Sequence, residues 1–232
     1  MGVPKVLIIT PIYSEKEYCL KEFLSFARKI NYPNFHHLFI DNSNDGGVFK
    51  RKLQILGLNV VRVKRGATSR EALTRAQAYG REKMLRENYD YMLSLESDVM
   101  HPPDIVQLLL YTAKDVVSAL YMIGDDEIRI PCITLPKYNK TIKAWGTRLL
   151  LPEEIPEYVH NGLQQVQAAG MGCCLIARRV LEKIEFYFDP RFRSHSDVYF
   201  FNDCFDAKIP VFVQTDILLD HQNSDWTKVK DR

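Results

Sequence analysis

The sequence predicts an α/β protein whose first half is a parallel, doubly wound sheet. Three observations carry this. Apolar strand patterns alternate with helical ones. Val6–Ile12 is a near-continuous apolar run, the pattern of a strand buried on both faces. Asp90-Tyr91-Met92-Leu93-Ser94-Leu95-Glu96-Ser97-Asp98 reads as a buried strand with acids at its tip, followed by a turn at Pro102-Pro103. Residues i and i+2 of a strand share a face, so Glu96 and Asp98 can point at one spot.

The elements follow in order. After the first strand, Glu15–Ile30 carries Leu20, Phe23, Leu24 and Ala27 at helical spacing. His37–Ile40 is the next strand and ends in the turn cluster Asp41-Asn42-Ser43-Asn44-Asp45-Gly46-Gly47. Phe49–Leu56 is a short helix and Asn59–Val63 a third strand. Thr68-Ser69-Arg70-Glu71 fits a capping box that opens a helix to about Asn88. The acidic strand comes next, then a helix over Asp104–Thr112 and a strand over Asp115–Tyr121.

The second half changes character. Arg129–Leu151 reads as short strands with turns at Pro136 and Trp145-Gly146. Pro152–Gly162 is expected to be a loop. Gln164–Ile176 is a strand broken at Gly170-Met171-Gly172. Arg178–Ile184 and Ser196–Ala207 are helices, and Val211–Gln214 with Ile217–Leu219 form late strands. One unit is expected over 1–232, with a nucleotide-type half to about 123 and a completing half from about 124.

Composition sets limits. A formal charge of +2 gives no electrostatic footprint for nucleic acid. No apolar run approaches the roughly 20 residues of a membrane span. The chain enters its first strand without a signal-peptide pattern, and its five cysteines show no C-x-x-C pair. A reduced, cytoplasmic protein is the expectation.

Several constellations carry chemistry. Paired carboxylates at a strand tip suit a hard divalent cation, which commonly partners phosphate. Pro11, Tyr13, Asp41 and Arg70 stand at neighbouring tips; a ring to stack on and an acceptor for an imide N–H suit a nucleotide base. Taken singly, each also fits ordinary turn chemistry. Ser196-Asp197 opens a helix, and Asp197 is either a cap or a general base kept ionised there. His221 follows an apolar run; a neutral imidazole suits Mn²⁺ beside carboxylates if the strand folds back towards Asp98. Gly170-Met171-Gly172 would admit a ligand near the backbone or permit a bulge. Neither a G-x-G-x-x-G fingerprint nor a Walker A loop occurs.

Taken in order, these motifs resemble those of GT-A glycosyltransferases of the family-2 type. Val6-Leu7-Ile8-Ile9-Thr10-Pro11-Ile12-Tyr13 is similar to the family's opening strand and turn, and Phe39-Ile40-Asp41-Asn42-Ser43 to its second strand. Leu95-Glu96-Ser97-Asp98 falls where the family carries its D-x-D metal motif. Ala169-Gly170-Met171-Gly172 through Arg178-Arg179 resembles the acceptor-lining strand and helix start. Ser196-Asp197-Val198-Tyr199-Phe200 is similar to the stretch with the catalytic base, and His221 matches the late metal-binding histidine.

The resemblance implies a GT-A, mixed but mainly parallel sheet with helices on both faces and a smaller acceptor-side subdomain. It implies sugar transfer from a nucleotide-sugar donor, UDP-sugar favoured, to an acceptor hydroxyl with inversion. Asp98 and His221 would hold Mn²⁺ or Mg²⁺ and Asp197 would be the base. Pro11, Tyr13, Asp41, Arg70, Glu96 and Ser97 would bind the donor, with Trp145, Gly170, Met171 and Gly172 on the acceptor side. Glu96 stands where the first aspartate is usual, and Ser196 where a glutamate precedes the base. The acceptor stays open: a glycan, a small molecule, a protein or a modified nucleic-acid base. Lys64, Arg65, Arg70, Arg178, Arg179, Arg191 and Arg193 are available to a phosphorylated acceptor, although solvated surface and donor-phosphate contacts are simpler assignments. A sugar nucleotidyltransferase is the second reading, but Pro11-Ile12-Tyr13-Ser14-Glu15-Lys16-Glu17 lacks the glycines its phosphate loop needs. A non-catalytic carbohydrate- or nucleotide-binding relative is the third.

Overall fold

The computed structural model of the chain describes residues 2–124, 129–141, 143–191 and 194–222. Its strands are β1 (Val6–Ile12), β2 (Phe35–Asp41), β3 (Val60–Arg62), β4 (Tyr91–Leu95), β5 (Val99–Met100), β6 (Val116–Gly124), β7 (Arg129–Pro131), β8 (Ile133–Asn139), β9 (Ala144–Leu149), β10 (Leu163–Val166), β11 (Ala168–Ala169), β12 (Cys173–Ala177) and β13 (Val211–His221). The helices are α1 (Glu17–Ala27), α2 (Val48–Ile55), α3 (Ser69–Arg86), α4 (Ile105–Tyr111), α5 (Ile155–Tyr158), α6 (Arg178–Leu181) and α7 (Ser196–Asp206).

The main sheet runs β10-β13-β6-β12-β4-β1-β2-β3, with β5 added on β13 and β7 on β6; β11-β8-β9 form a small second sheet. β1 is buried at every position and feeds two cores by strand alternation. Val6, Ile8 and Ile12 pack with Phe23, Leu53, Ile105 and Leu109 on one face. Leu7 and Ile9 pack with Ala76, Met84, Val180 and Phe200 on the other. Helix α3 lies so close that a Cβ at Gly80 would come within 2.8 Å of Ile9. Its start is capped by Thr68, whose hydroxyl accepts from the Glu71 N–H at 3.1 Å. The Glu71 carboxylate takes the N–H of Ala67, not of Thr68, so the expected box is only half made.

Parallel pairing decides where function collects. β1 is parallel to β2 and β4, and β13 is parallel to β6. Antiparallel β12 lies between β4 and β6 and so makes those two parallel as well. With β3 parallel to β2, six strands therefore end at one edge, and β12 begins there. Ligands of open α/β sheets bind at that edge.

Three expectations need correction. Pro136 and Trp145-Gly146 are not turns; they lie within β8 and β9, paired Pro136↔Thr147 and Tyr138↔Trp145. β11 pairs only Ile133 and Thr134, so the missing N–H of Pro136 costs no bond on that side. Pro152–Gly162 is no plain loop: it holds a 3₁₀ turn at Pro152–Glu154 and α5. The late strands are one strand, β13, whose register on β6 shifts between Gln214 and Leu218. None of the five cysteines is in a disulfide, and no helix among the described residues is long and apolar enough to cross a membrane.

Candidate active site

The acid tip is locked to both neighbouring segments. The Glu96 N–H donates to the Gly172 carbonyl at 2.8 Å, and the Gln222 N–H to the Asp98 carbonyl at 2.8 Å. Strand β5 pairs His221 with Val99 and Asp220 with Met100, which folds the end of β13 back onto the acids. Glu96, Asp98 and His221 thereby offer ligand atoms within 4.8 Å of one another. Nε2 of His221 lies 3.6 Å from Oδ2 of Asp98. The other ring nitrogen donates to the Met122 carbonyl at 3.2 Å, which turns Nε2 towards Asp98. Nε2 is buried and has no hydrogen-bond partner.

The electrostatics suit a cation. Asp98 is fully enclosed; burial works against its charge, but the Lys16 ammonium and His221 outweigh that and hold it below the usual carboxylate range. Burial and the Asp98 charge push Glu96 well above that range. Burial lowers His221, and its contact with Asp98 more than restores it. Two oxygen donors and a partnerless imidazole nitrogen form a set that fits Mn²⁺ or Mg²⁺.

Asp41 is fully buried at the end of β2. Its Oδ1 accepts from the Ser43 N–H at 2.9 Å and the Ser43 hydroxyl at 2.5 Å. Its Oδ2 is buried with no hydrogen-bond partner. Tyr13 follows β1, and the guanidinium of Arg65 sits 4.5 Å from its ring centroid. Pro11 is buried opposite Ile40 in β1, and Arg70 is half-buried in the first turn of α3. The strand expected to carry the acids stops at Leu95: Ser97 and Asp98 lie in a turn closed by the Val99 N–H on the Glu96 carbonyl at 3.2 Å, and the Ser97 hydroxyl is buried without a hydrogen-bond partner.

Asp197 sits in the first turn of α7, whose cap position is His195. Its Oδ1 accepts the Val198 N–H at 2.8 Å. Burial raises its pKa, and its charge in turn disfavours ionisation of Glu96 and Tyr121. Ser196 Oγ is 2.5 Å from Gln77 Oε1, which ties the start of α7 to α3; the Gln77 amide also reaches Met171 Sδ at 3.2 Å.

The glycine segment makes room for a side chain of the protein itself. A Cβ at Gly170 would fall 2.1 Å from the Tyr121 hydroxyl oxygen, and one at Gly172 3.0 Å from the ring. The Tyr121 hydroxyl accepts the Gly172 N–H at 3.1 Å, and its ring meets the His221 ring edge-on at 5.0 Å. Gly170→Ala should therefore destabilise the fold by about 1–3 kcal/mol through overpacking, read as a lower urea midpoint. An unchanged midpoint would mean the Tyr121 ring moves aside freely.

Trp145 stands apart from this centre. It is 60% exposed and meets Phe205 at 6.4 Å between ring centroids. Phe205 follows Asp197 by eight residues on α7, about 12 Å along the axis. Arg178 and Arg179 are also remote: β12 runs antiparallel to β4, so Ala177 pairs with Tyr91 at the opposite end of the sheet. There Arg178 binds the carbonyls of Leu85 and Met84, and Arg179 pairs with Asp115. They do not line the acceptor side. Arg193 lies outside the described residues. Tyr121 and Lys16 are site residues that the sequence did not single out; no local pattern distinguishes either from a core tyrosine or a surface lysine.

No family model matches the chain, and no curated protein matches its sequence. Solved structures match its shape. GalNAc-T7 with UDP, GalNAc and Mn²⁺ superposes with a TM-score of 0.64 and 12% identity, over 95% of this chain and 44% of that one. The chain has the GT-A glycosyltransferase fold. S. aureus TarS 1-349 in complex with UDP-GlcNAc gives 0.57 and 14%, over 93% and 57% of the two chains. The mannosyltransferase PcManGT from Pyrobaculum calidifontis, in complex with GDP-Man and Mn²⁺, gives 0.54 and 15%, over 94% and 56%. The chain thus spans about half the length of these GT-A proteins.

Proposed function

We propose that this GT-A chain transfers a glycosyl group from a UDP-sugar to an acceptor hydroxyl, with inversion, as a family-2-like enzyme. The observation that carries this is the convergence of Glu96, Asp98 and the His221 nitrogen at the sheet edge that also holds Asp41. Residues 1–123 would supply the donor half and 124–232 the acceptor half.

Asp98 and His221 would hold Mn²⁺ or Mg²⁺, with Glu96 beside them. When bound, the ion supplies Lewis-acid stabilisation to the departing diphosphate. Asp41 would read the base. With Oδ1 taken by Ser43, only Oδ2 remains to accept. Uracil presents one imide N–H to such an oxygen. Guanine presents two adjacent donors and is best met by both carboxylate oxygens, whereas cytosine presents a lone pair at that position and is repelled. Tyr13 and Arg65 would flank the base. Asp197 would take the acceptor proton as the hydroxyl oxygen bonds to the anomeric carbon and the bond from that carbon to the diphosphate oxygen breaks. One base and in-line displacement invert the centre.

A thermal-shift panel tests the donor: UDP-, GDP- and CMP-sugars and free NTPs, each with and without Mn²⁺. The expected result is metal-dependent stabilisation by UDP-sugars, about 2.7 kcal/mol at a hundred times the dissociation constant. Asp41→Asn should weaken UDP binding about ten- to hundredfold, since a hydrogen bond to a charged group is worth roughly 1.5–3 kcal/mol. A preference for GDP-sugars would refute the base assignment, and a preference for NTPs would favour the nucleotidyltransferase.

A further inference from the structure

Lys16 closes the 3₁₀ turn Ser14–Lys16 that follows Tyr13. Its side chain is only 12% exposed, and its ammonium is ion-paired with Oδ2 of Asp98. That is the oxygen that also faces Nε2 of His221. A cationic side chain of the protein therefore stands at the atom a divalent ion would need. Burial disfavours the charge on Lys16, but the carboxylates of Asp98 and Glu96 more than compensate. Without that ammonium, the Asp98 and Glu96 carboxylates would face each other with only His221 beside them. With it, an incoming divalent ion meets a like charge within bonding distance of its own ligand.

We propose that Lys16 is the resident counter-cation of Asp98, and that its ammonium and a divalent ion occupy Asp98 Oδ2 in turn. The lysine leaves as the metal arrives and returns when it departs. The donor diphosphate, being anionic, is the partner that can take over the displaced ammonium, so metal and donor should bind more tightly together than apart. The proposal rests on the metal reading given above and adds to it a competitor built into the chain.

Two measurements test it. Mn²⁺ affinity is read from the electron paramagnetic resonance signal of the free ion, without donor, for wild type, Lys16→Met and Asp98→Ala, with folding checked by circular dichroism. Lys16→Met should bind Mn²⁺ at least tenfold more tightly than wild type, and Asp98→Ala should lose binding. The second uses unaltered protein: Mn²⁺ should accelerate acylation of Lys16 by an amine-reactive reagent, followed by mass spectrometry. If Asp98→Ala abolishes binding but Lys16→Met binds no more tightly than wild type, the metal site stands and the lysine proposal falls. Acylation of Lys16 that Mn²⁺ leaves unchanged or slows also overturns the proposal. If neither wild type nor Lys16→Met binds Mn²⁺, both readings fall together.

Discussion

Asp98→Ala is expected to lower transfer by at least about 10³-fold and to remove all stabilisation by Mn²⁺ with a UDP-sugar. The kinetic size follows from several kcal/mol of lost charge stabilisation at the leaving diphosphate, each 1.36 kcal/mol being tenfold. The same change should also destabilise the fold. Asp98 is fully buried and the Lys16 side chain nearly so; removing one partner of such a pair typically costs about 3–5 kcal/mol. The two effects separate in a double variant. Asp98→Ala with Lys16→Met should regain most of the lost stability in urea and none of the lost transfer. If the double variant is as unstable as Asp98→Ala alone, the stranded ammonium is not the cause. Retention of Mn²⁺-dependent transfer by Asp98→Ala would move the metal elsewhere.

The second large effect belongs to Asp197. Asp197→Asn should reduce kcat by about 10²–10⁴-fold, the usual worth of a general base, while leaving the UDP-sugar dissociation constant unchanged. Burial raises the pKa of Asp197. A base works only when deprotonated, so wild-type transfer should fall as pH drops through a value above the ordinary carboxylate range. Asp197→Asn should erase that acid limb from kcat. Glu96 is raised too, by burial and by Asp98, and is the obvious rival. A limb that survives in Asp197→Asn and vanishes in Glu96→Gln would transfer the role to Glu96.

What the sequence disclosed of this site follows the range of the physics involved. Glu96 and Asp98 were legible as an acid pair at a strand tip, but β4 stops at Leu95, and a turn rather than strand alternation aims them. Asp41 was legible because a dense turn cluster marks the end of β2. His221 was conditional, since its place depends on β5, a two-residue strand too short to leave a pattern. The direction of β12 was not legible at all. Its five apolar residues look alike read either way, so the resemblance carried Arg178 and Arg179 to the wrong end of the sheet. The Gly170 and Gly172 notch was visible as a notch, but its occupant, Tyr121, is set by the pairing of β12 with β6. Lys16 was opaque for a related reason: its partner lies 82 residues away.

The closure of the acid tip by the end of β13 has a consequence for synthesis. His221 follows Asp98 by 123 residues (221 − 98), so the acids leave the ribosome well before the imidazole that joins them. At roughly 5–20 residues per second the interval is on the order of ten seconds. Throughout it, Lys16 is already present to neutralise Asp98, so a nascent chain carries an internally balanced pair of charges. The imidazole then joins that pair in a single late step, when β13 docks.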